Sequence, residues 1–146
     1  MPSDKVVKFT LIVYEVSTSQ RQIHYEQSGN VLAINRSSIQ TKDDMLEVIH
    51  KIEKFSPAWL YIQPFVLQRL LICYQEDGMS PSRSLRYIES VGELLPKDLQ
   101  KSAAKFFKVP VANMYGSEEM NGIAYECPYG YMHVLEDNVY VECLTP

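Results

Sequence analysis

The amino-acid sequence predicts an α/β domain, with a mainly parallel sheet flanked by helices and ending in a β-hairpin. Short runs rich in β-branched and aromatic residues alternate with longer amphipathic segments through most of the chain. Proline or glycine stands at several of the changes between the two kinds of segment. Two alternating runs close the sequence on either side of a polar turn. Strand–helix–strand alternation implies right-handed crossovers, which produce parallel strands with helices on the faces of the sheet.

Three candidate strands lie in the first forty residues. They occupy residues 6–16, 22–26 and 31–35, which contain many β-branched, aromatic or alternating apolar side chains. A Ser-Gly-Asn group at residues 28–30 separates the second from the third, and such groups are typical of turns. The beginning of the chain is therefore expected to form strands joined by short connections.

Helix signals divide the rest of the chain. Thr41 suits an N-cap, Pro64 suits the first turn of a helix, and Gly78 suits the residue that follows a helix. The elements predicted on this basis are a helix from Thr41 to the Ser56-Pro57 stop, a strand at 59–62, a helix at 65–76, a strand at 85–89, a turn at 90–93, a helix at 96–107, a strand at 109–113, a loop at 115–119, and a hairpin of residues 131–135 and 139–143 around 136–138. Ligands of parallel sheets gather at the carboxyl ends of strands, so the loops after Glu89 and Asn113 are candidate sites.

Composition and charge exclude several classes of protein. The chain has 18 acidic and 14 basic residues, and no basic cluster of the kind that binds nucleic acid. No apolar run reaches the ~18–20 residues that span a bilayer, and the first residues lack the layout of a signal peptide. Three cysteines, Cys73, Cys127 and Cys143, are too few for a disulfide framework. We therefore expect one domain over residues 1–146 in a reduced, cytoplasmic setting, with neither nucleic acid nor membrane as partner.

The two candidate loops differ in what they offer a ligand. Gly92 in the first loop permits close approach of a flat ligand to the backbone, although this residue taken alone favours an ordinary strand-to-helix turn. The second loop combines the ring of Tyr115 with two adjacent carboxylates, and Mg²⁺ binds through one or two carboxylates plus phosphate oxygens. Glu118 and Glu119 are neighbours whose side chains diverge, so one of them is expected to face the site. A solvated acidic turn is the alternative.

Together the loops resemble the paired adenylate-binding motifs of AMP-forming ligases. Glu-Ser-Val-Gly-Glu-Leu at residues 89–94 is similar to the Gly-Gly-Glu motif that follows one strand in this family. Asn-Met-Tyr-Gly-Ser-Glu-Glu at residues 113–119 is similar to the Asn-x-Tyr-Gly-x-Thr-Glu motif that follows the next strand. The resemblance extends over residues 57–142. Further matches to the phenylacetate–CoA ligase branch are residues 122–127, His133 and residues 141–142.

For the adenine end of a nucleotide, the resemblance implies a role for five residues. Gly92 and Glu93 would lie along the adenine ring. Asn113 would form a hydrogen bond with the amino edge of the base. Tyr115 would pack its ring against the base, and Met114 belongs to the same nucleotide-binding set.

For the phosphate end, the resemblance implies that Gly116 and Ser117 line the junction between nucleotide and carboxylate substrate. Glu119 would coordinate Mg²⁺ and is the predicted catalytic residue. Two positions depart from the family pattern. Glu118 stands where the family has threonine or serine, and Val91 replaces the first glycine of the usual pair. The Glu118 carboxylate would repel a phosphate that it faces, and the Val91 side chain would crowd the adenine, so both departures are expected to weaken ATP binding.

Family members activate a carboxylic acid with ATP as an acyl-adenylate, release pyrophosphate and transfer the acyl group to coenzyme A. The resemblance therefore implies ATP or AMP, Mg²⁺ and coenzyme A as ligands, and a small carboxylic acid as substrate. The sequence lacks the family's phosphate loop with its lysine, and it stops at Pro146, before a ribose-binding aspartate or a C-terminal lysine domain. We therefore expect a fragment of the large N-terminal domain of such a ligase, inactive as this chain alone.

Two alternatives stay open at the level of sequence. The first is a non-catalytic binding or scaffold module that retains the ligase fold, favoured by Glu118 and Val91. The second concerns assembly, because a segment of a larger protein exposes apolar surface that fits either a homodimer or the remainder of the synthetase.

Cys127 and His133 form a second candidate site. Cysteine and histidine are zinc ligands by type, zinc favours four ligands, and Cys143 or His24 would supply a third. Relatives in the resembled branch carry zinc near this region. The alternative is a buried thiol beside a hairpin histidine, since the spacing of the pair matches no compact zinc finger.

Overall fold

A single eight-stranded sheet runs through the chain in the computed structural model, which describes residues 4–10, 23–142 and 144. The strands are β1 (Val6–Thr10), β2 (Tyr25–Ser28), β3 (Val31–Asn35), β4 (Trp59–Ile62), β5 (Tyr87–Ser90), β6 (Val111–Ser117), β7 (Asn121–Glu126) and β8 (Met132–Val134). Their order across the sheet is β2-β3-β1-β4-β5-β6-β7-β8. The five central strands from β3 to β6 are parallel, whereas β2, β7 and β8 pair antiparallel with their neighbours.

Three helices connect the parallel strands. They are α1 (Lys42–Phe55), α2 (Pro64–Glu76) and α3 (Lys97–Phe107). Thr41 caps α1 as predicted, since its Oγ1 accepts from Asp44 N at 3.1 Å and Asp44 Oδ2 accepts from Thr41 N at 2.7 Å. Pro64 opens α2, and Gly78 follows its end with a φ of 62°. The predicted alternation of strands and helices is thereby confirmed.

All three helices pack on one face of the sheet. Their crossovers run in the same direction across the sheet, and right-handed crossovers that share a direction share a face. The sheet contributes to this core Val7, Phe9, Leu32, Ile34, Leu60, Ile62 and Ile88, each at most 1% exposed. The helices contribute mainly aliphatic side chains, and Tyr74 packs edge-on to Phe107 at 5.5 Å between ring centroids. The α/β fold class is confirmed, with the described helices on one face.

The opposite face of the sheet carries polar and aromatic side chains. Lys8, Tyr61 and Glu89 lie side by side on β1, β4 and β5, and the Lys8 ammonium is 5.6 Å from the Tyr61 ring centroid. Glu89 is only 4% exposed. Burial raises its pKa, although Lys8 and a hydrogen bond from the Tyr125 hydroxyl oppose the shift. At Lys8, Tyr61 and Glu89 this face is therefore built from paired polar groups.

The first strands differ from the prediction mainly in their ends. β1 stops at Thr10 within the described residues, and the rest of the predicted strand 6–16 lies outside them. β2 begins at Tyr25 and runs to Ser28, so the predicted segment 22–26 starts too early. β5 occupies Tyr87–Ser90 rather than residues 85–89, because its backbone bonds follow the in-register pairing with β4.

The end of the chain is antiparallel as expected, but its pairing was predicted wrongly. Residues 115–117, assigned to a loop, continue β6, and β7 (Asn121–Glu126) was not predicted. β8 (Met132–Val134) pairs with β7, while residues 139–142 form no strand. An alternating pattern marks a strand with one buried face, but it does not identify the partner strand.

None of the described helices is long and apolar enough to cross a membrane.

Candidate functional site

A crevice of about 510 Å³ lies at the carboxyl ends of five strands, β3, β1, β4, β5 and β6. Ligands of open α/β sheets bind at this edge, because the strand ends leave loops and unpaired backbone groups there. The crevice is lined by Phe9, Thr10, Arg36, Tyr61, Gln63, Val91, Gly92, Glu93, Met114, Gly116, Ser117, Glu118 and Asn121. The two candidate loops of the sequence thus meet in one place.

Gly92 shapes the first wall of the crevice. Val91 N donates to Ile62 O at 3.1 Å, which holds the chain beside β4 just beyond the end of β5. The next residue, Gly92, turns the chain with a φ of 80°, a conformation that favours glycine. A Cβ at this position would lie 3.7 Å from Gln63 Cγ, an ordinary contact. Glycine is therefore required here by backbone conformation rather than by space.

Gly116 shapes the opposite wall for a different reason. The pairing of β6 with β7 shifts between Tyr115 and Gly116, and a Cβ on Gly116 would lie 2.0 Å from the carbonyl oxygen of Asn121. The hairpin closes only without that atom. Met120 N donates to Ser117 Oγ at 3.2 Å within the turn. Ser117 and Glu118 are thereby held at the rim of the crevice.

Asn138 fastens the same turn from outside. Its Nδ2 donates to Gly122 O at 2.9 Å and to Met120 O at 3.2 Å. These bonds join the segment after β8 to the β6–β7 turn. Residues 136–138, predicted as the turn of a hairpin, thus support the crevice wall.

Six of the nine predicted nucleotide-site residues line the crevice and three do not. The six are Gly92, Glu93, Met114, Gly116, Ser117 and Glu118. Asn113 lies behind the wall with its Oδ1 buried and without a hydrogen-bond partner. Tyr115 is 62% exposed, and Glu119 is exposed at the turn. Tyr115 and Glu119 were expected to share the crevice, but neither lines it. The adjacent residues Met114, Gly116 and Glu118 line it instead.

Glu118 and Glu119 diverge, as expected for adjacent side chains. Glu118 lines the crevice. Hydrogen bonds from its own backbone N–H and from the Ser117 hydroxyl lower the pKa of Glu119, so this carboxylate stays ionised at neutral pH. The carboxylate that faces the crevice is therefore that of Glu118.

A polar network around the buried carboxylate of Glu126 fixes β6 against α3 and β7. The Glu126 side chain is 4% exposed and accepts from Lys97 Nζ at 2.6 Å, Gln100 Nε2 at 2.7 Å and Asn113 N at 3.0 Å. Burial by itself would raise the pKa of Glu126, but the three donors outweigh it and lower the pKa. The network positions the strand that carries the second motif, and no sequence signal pointed to it.

Sequence reasoning also missed Arg36 and Gln63, which line the crevice. Gln63 Nε2 donates to Phe9 O at 3.1 Å, while its Oε1 is buried without a hydrogen-bond partner. Both residues immediately follow a strand, which was the available signal, because strand ends were already identified as candidate sites.

Cys127 and His133 lie on either side of the β7–β8 turn. Cys127 N donates to Tyr131 O at 2.8 Å, and exposed His133 stands opposite Tyr125 in the β7–β8 register. Among residues 4–10, 23–142 and 144, no group of three or more His, Cys, Asp or Glu side chains converges to hold a metal ion. Cys143, named as a third ligand, lies outside the described residues.

A larger cavity, of about 980 Å³, lies at the opposite edge of the sheet. It is lined by the segments that lead into β5 and β6, including Arg83, Lys105 and Lys108. None of the motif residues reaches it. The smaller crevice is the candidate site because it unites both motifs at the strand ends where ligands of such sheets bind.

No protein-family model matches this sequence, and no curated protein matches it. Its fold is similar to part of several solved CoA ligases. A 2-hydroxyisobutyryl-CoA ligase in complex with 2-HIB-AMP and CoA has a TM-score of 0.60 at 14% identity, over 85% of this chain and 28% of the other. The anthranilate CoA ligase AuaEII in complex with anthranoyl-AMP has a TM-score of 0.56 at 19% identity, over 70% and 19%. A benzoate CoA ligase from Burkholderia xenovorans LB400 has a TM-score of 0.50 at 18% identity, over 69% and 19%.

These likenesses define the class of fold, an α/β sheet that is also found within solved CoA ligases. This chain spans less than a third of the length of each of the three structures.

Proposed function

We propose that this chain forms the nucleotide and acyl-adenylate crevice of an AMP-forming acyl- or aryl-CoA ligase, of the branch that resembles phenylacetate–CoA ligase. The observation that carries the proposal is the crevice itself. The turn after β5 and the β6–β7 turn, each matching one adenylate motif, face each other across it. The likeness to ligases solved with 2-HIB-AMP and anthranoyl-AMP supports the same ligand class.

The reaction proposed for the whole ligase has two steps. A carboxylate oxygen attacks the α-phosphate of ATP, which forms the acyl-adenylate and releases pyrophosphate. The thiol of coenzyme A then attacks the acyl carbon, which forms the thioester and releases AMP. This chemistry needs positioned groups and charge compensation rather than a protein nucleophile. The crevice residues would hold the adenosine and the phosphate in place for both steps.

Magnesium would compensate phosphate charge at the β6–β7 turn. Mg²⁺ prefers oxygen ligands and usually binds through one or two carboxylates together with phosphate oxygens. The donors at this turn, the Glu118 and Glu119 carboxylates and the Ser117 hydroxyl, are of the right type. The role of Glu119 as the magnesium ligand stays a prediction, and Glu118 is the carboxylate that lines the crevice.

The test is titration of the purified chain with AMP in the presence of Mg²⁺, followed by amide chemical shifts. We expect saturable binding, with GMP at least tenfold weaker, because the motif residues are expected to read the adenine edge. Shifts should concentrate at crevice residues such as Gly92 and Ser117. Arg83 and Lys105 in the larger cavity serve as internal controls. Shifts confined to that cavity, or no difference between AMP and GMP, would count against the proposal.

Catalysis by this chain alone is a separate question. The predicted absence of turnover is checked by pyrophosphate release from ATP with a panel of small carboxylic acids and coenzyme A. Release above background would overturn the predicted inactivity while leaving the proposed ligand class intact.

Zinc at Cys127 and His133, a homodimer, and a cytoplasmic location also stay predictions. Metal analysis of the purified protein tests the first. Light scattering at high concentration tests the second, for which the exposed side chains of Tyr129, Tyr131 and Tyr140 provide apolar surface.

A further inference from the structure

Charge is unevenly distributed around the crevice. Arg36 is the one lysine or arginine among its described lining residues, whereas Glu93 and Glu118 bring two carboxylates. A phosphate group entering this crevice therefore meets more negative than positive charge from the protein. Arg36 is the one described lining side chain that can offset this excess, since an arginine remains protonated at all ordinary pH values.

Local structure places Arg36 at the crevice. Asn35 ends β3, and its Oδ1 accepts from Ser37 N at 3.2 Å and Ser37 Oγ at 2.8 Å. This cap starts a single 3-10 turn, Arg36–Ser38, so the chain bends sharply at the carboxyl end of the strand. Arg36 is thereby directed across the strand ends toward the loop after β5 instead of continuing along the sheet.

The contacts of the Arg36 side chain leave hydrogen-bonding capacity free. Its guanidinium carbon lies 6.0 Å from the centroid of the Phe65 ring. Its Nη1 is 4.0 Å from Glu93 Oε1, which is longer than a hydrogen bond. The side chain is 25% exposed and that of Glu93 is 45% exposed, so the pair is open to solvent and weak.

We infer that Arg36 is the phosphate-binding group of this crevice and that Glu93 is a counter-ion that the phosphate displaces. A guanidinium presents parallel N–H donors that match two phosphate oxygens, and a charge-assisted bidentate pair is stronger than a solvent-exposed ion pair at 4.0 Å. The Phe65 ring adds a weak cation–π attraction to the guanidinium. This inference rests on the proposed adenine-nucleotide function and adds the residue that recognises the charged end of the ligand. It places Glu93 beside the phosphate, whereas the resemblance implies a position along the adenine ring.

The experiment compares AMP with adenosine, because the two differ only in the phosphate. Dissociation constants are measured by calorimetry on the full chain without Mg²⁺, so that Arg36 is not assisted by a metal. We expect the wild-type chain to prefer AMP by about tenfold or more. R36Q should lose that preference while binding adenosine as before, and R36K should retain part of it, because charge remains and the planar fork is lost.

Two further variants sharpen the comparison. E93Q should bind AMP more tightly than wild type, because the competing carboxylate is removed, with adenosine affected less. R86Q is the matched control for loss of one positive charge, since exposed Arg86 pairs with Asp4 at the amino end of β5. Its AMP-to-adenosine ratio should equal that of wild type. Thermal unfolding of every variant verifies that folding is unchanged.

Equal binding of AMP and adenosine by wild type, or an unchanged ratio in R36Q, would overturn the inference while the nucleotide function stands. If neither AMP nor adenosine binds, the proposed function fails. Binding of pyrophosphate to wild type and to the variants then tests Arg36 as an anion-binding residue by itself. Binding of pyrophosphate that R36Q abolishes and R86Q preserves upholds the anion site. Absence of such binding, or its persistence in R36Q, refutes it.

Discussion

The parallel and the antiparallel parts of this sheet are held together by different interactions. From β3 to β5, strands and helices enclose an apolar core in which Leu60 and Ile88 are at most 1% exposed. From β6 to β8, the strands have few fully buried side chains and depend on Glu126, Asn138 and the close approach at Gly116. The crevice lies where the two parts meet, with one motif on each.

The difference shows why the two parts were predicted unequally well. An apolar core is formed by many interchangeable contacts, so periodicity alone places its strands and helices. Polar networks and glycine contacts are specific to one arrangement, and their partners lie far apart in the chain. Substitutions in the two parts should therefore differ in size and in kind.

The largest expected effect belongs to the parallel part. Ile88→Ala should lower the free energy of unfolding by about 3–4 kcal/mol, because it leaves a cavity in the fully buried core. The measurement is urea denaturation followed by circular dichroism. Val134→Ala on β8, where the side chain is 41% exposed, is the control and should cost less than about 1 kcal/mol. Equal losses would show that the antiparallel end is as tightly packed as the core.

Next comes the glycine contact of the antiparallel part. Gly116→Ala should cost about 2–3 kcal/mol, since its Cβ would lie 2.0 Å from a backbone carbonyl that must move. Gly29→Ala is the control, because it tests the cost of a positive φ without steric crowding. Gly29 has a φ of 55°, and a Cβ added there would have no atom within 4 Å. That variant should cost about 1 kcal/mol. We also expect Gly116→Ala to weaken AMP binding, because it displaces the crevice wall. Undiminished stability in this variant would contradict the bulged pairing of β6 with β7.

Glu126 is expected to contribute less, and in a pH-dependent manner. Glu126→Gln should cost about 1–2 kcal/mol at pH 7, because it removes the charge that the three donors share. The pKa of Glu126 is lowered in the folded chain, so its contribution is present above the ordinary value of about 4.3 and is lost as pH falls. The deficit of the variant should thus shrink between pH 7 and pH 3. Glu136→Gln, on the exposed surface, should show no such trend.

The smallest effect is expected where the two parts touch on the polar face. Glu89 on β5 accepts from Tyr125 on β7, and burial raises its pKa. A raised carboxylate pKa means that stability from this group is complete at acid pH and declines as pH rises. Glu89→Gln should therefore be slightly more stable than wild type at pH 7, within about 1 kcal/mol, and equal to it at pH 4. Thermal melts at both pH values decide this, and a less stable variant at pH 7 would mean that the charge itself is needed.

The sequence by itself determined most of the parallel part. Periodicity, with Thr41, Pro64 and Gly78 as helix signals, predicted α1, α2 and the one strand between them, β4. It also identified both motifs at the carboxyl ends of neighbouring strands, and six of the nine predicted residues line one crevice, although residues 113–117 of the second motif belong to β6 itself. These features are local, since capping, turn conformation and the apolar face of an element depend on residues close together in the chain.

Only the tertiary structure decided the rest. It determined that β8 pairs with β7, that Glu118 rather than Glu119 lines the crevice, and that Arg36 from the first part of the chain reaches the loop containing Glu93. Each of these depends on the relative position of elements distant in sequence. A pattern of apolar and polar residues predicts which side of a helix or strand is buried. The element that packs on that side depends on strand register, bulges and crossover direction in the assembled sheet.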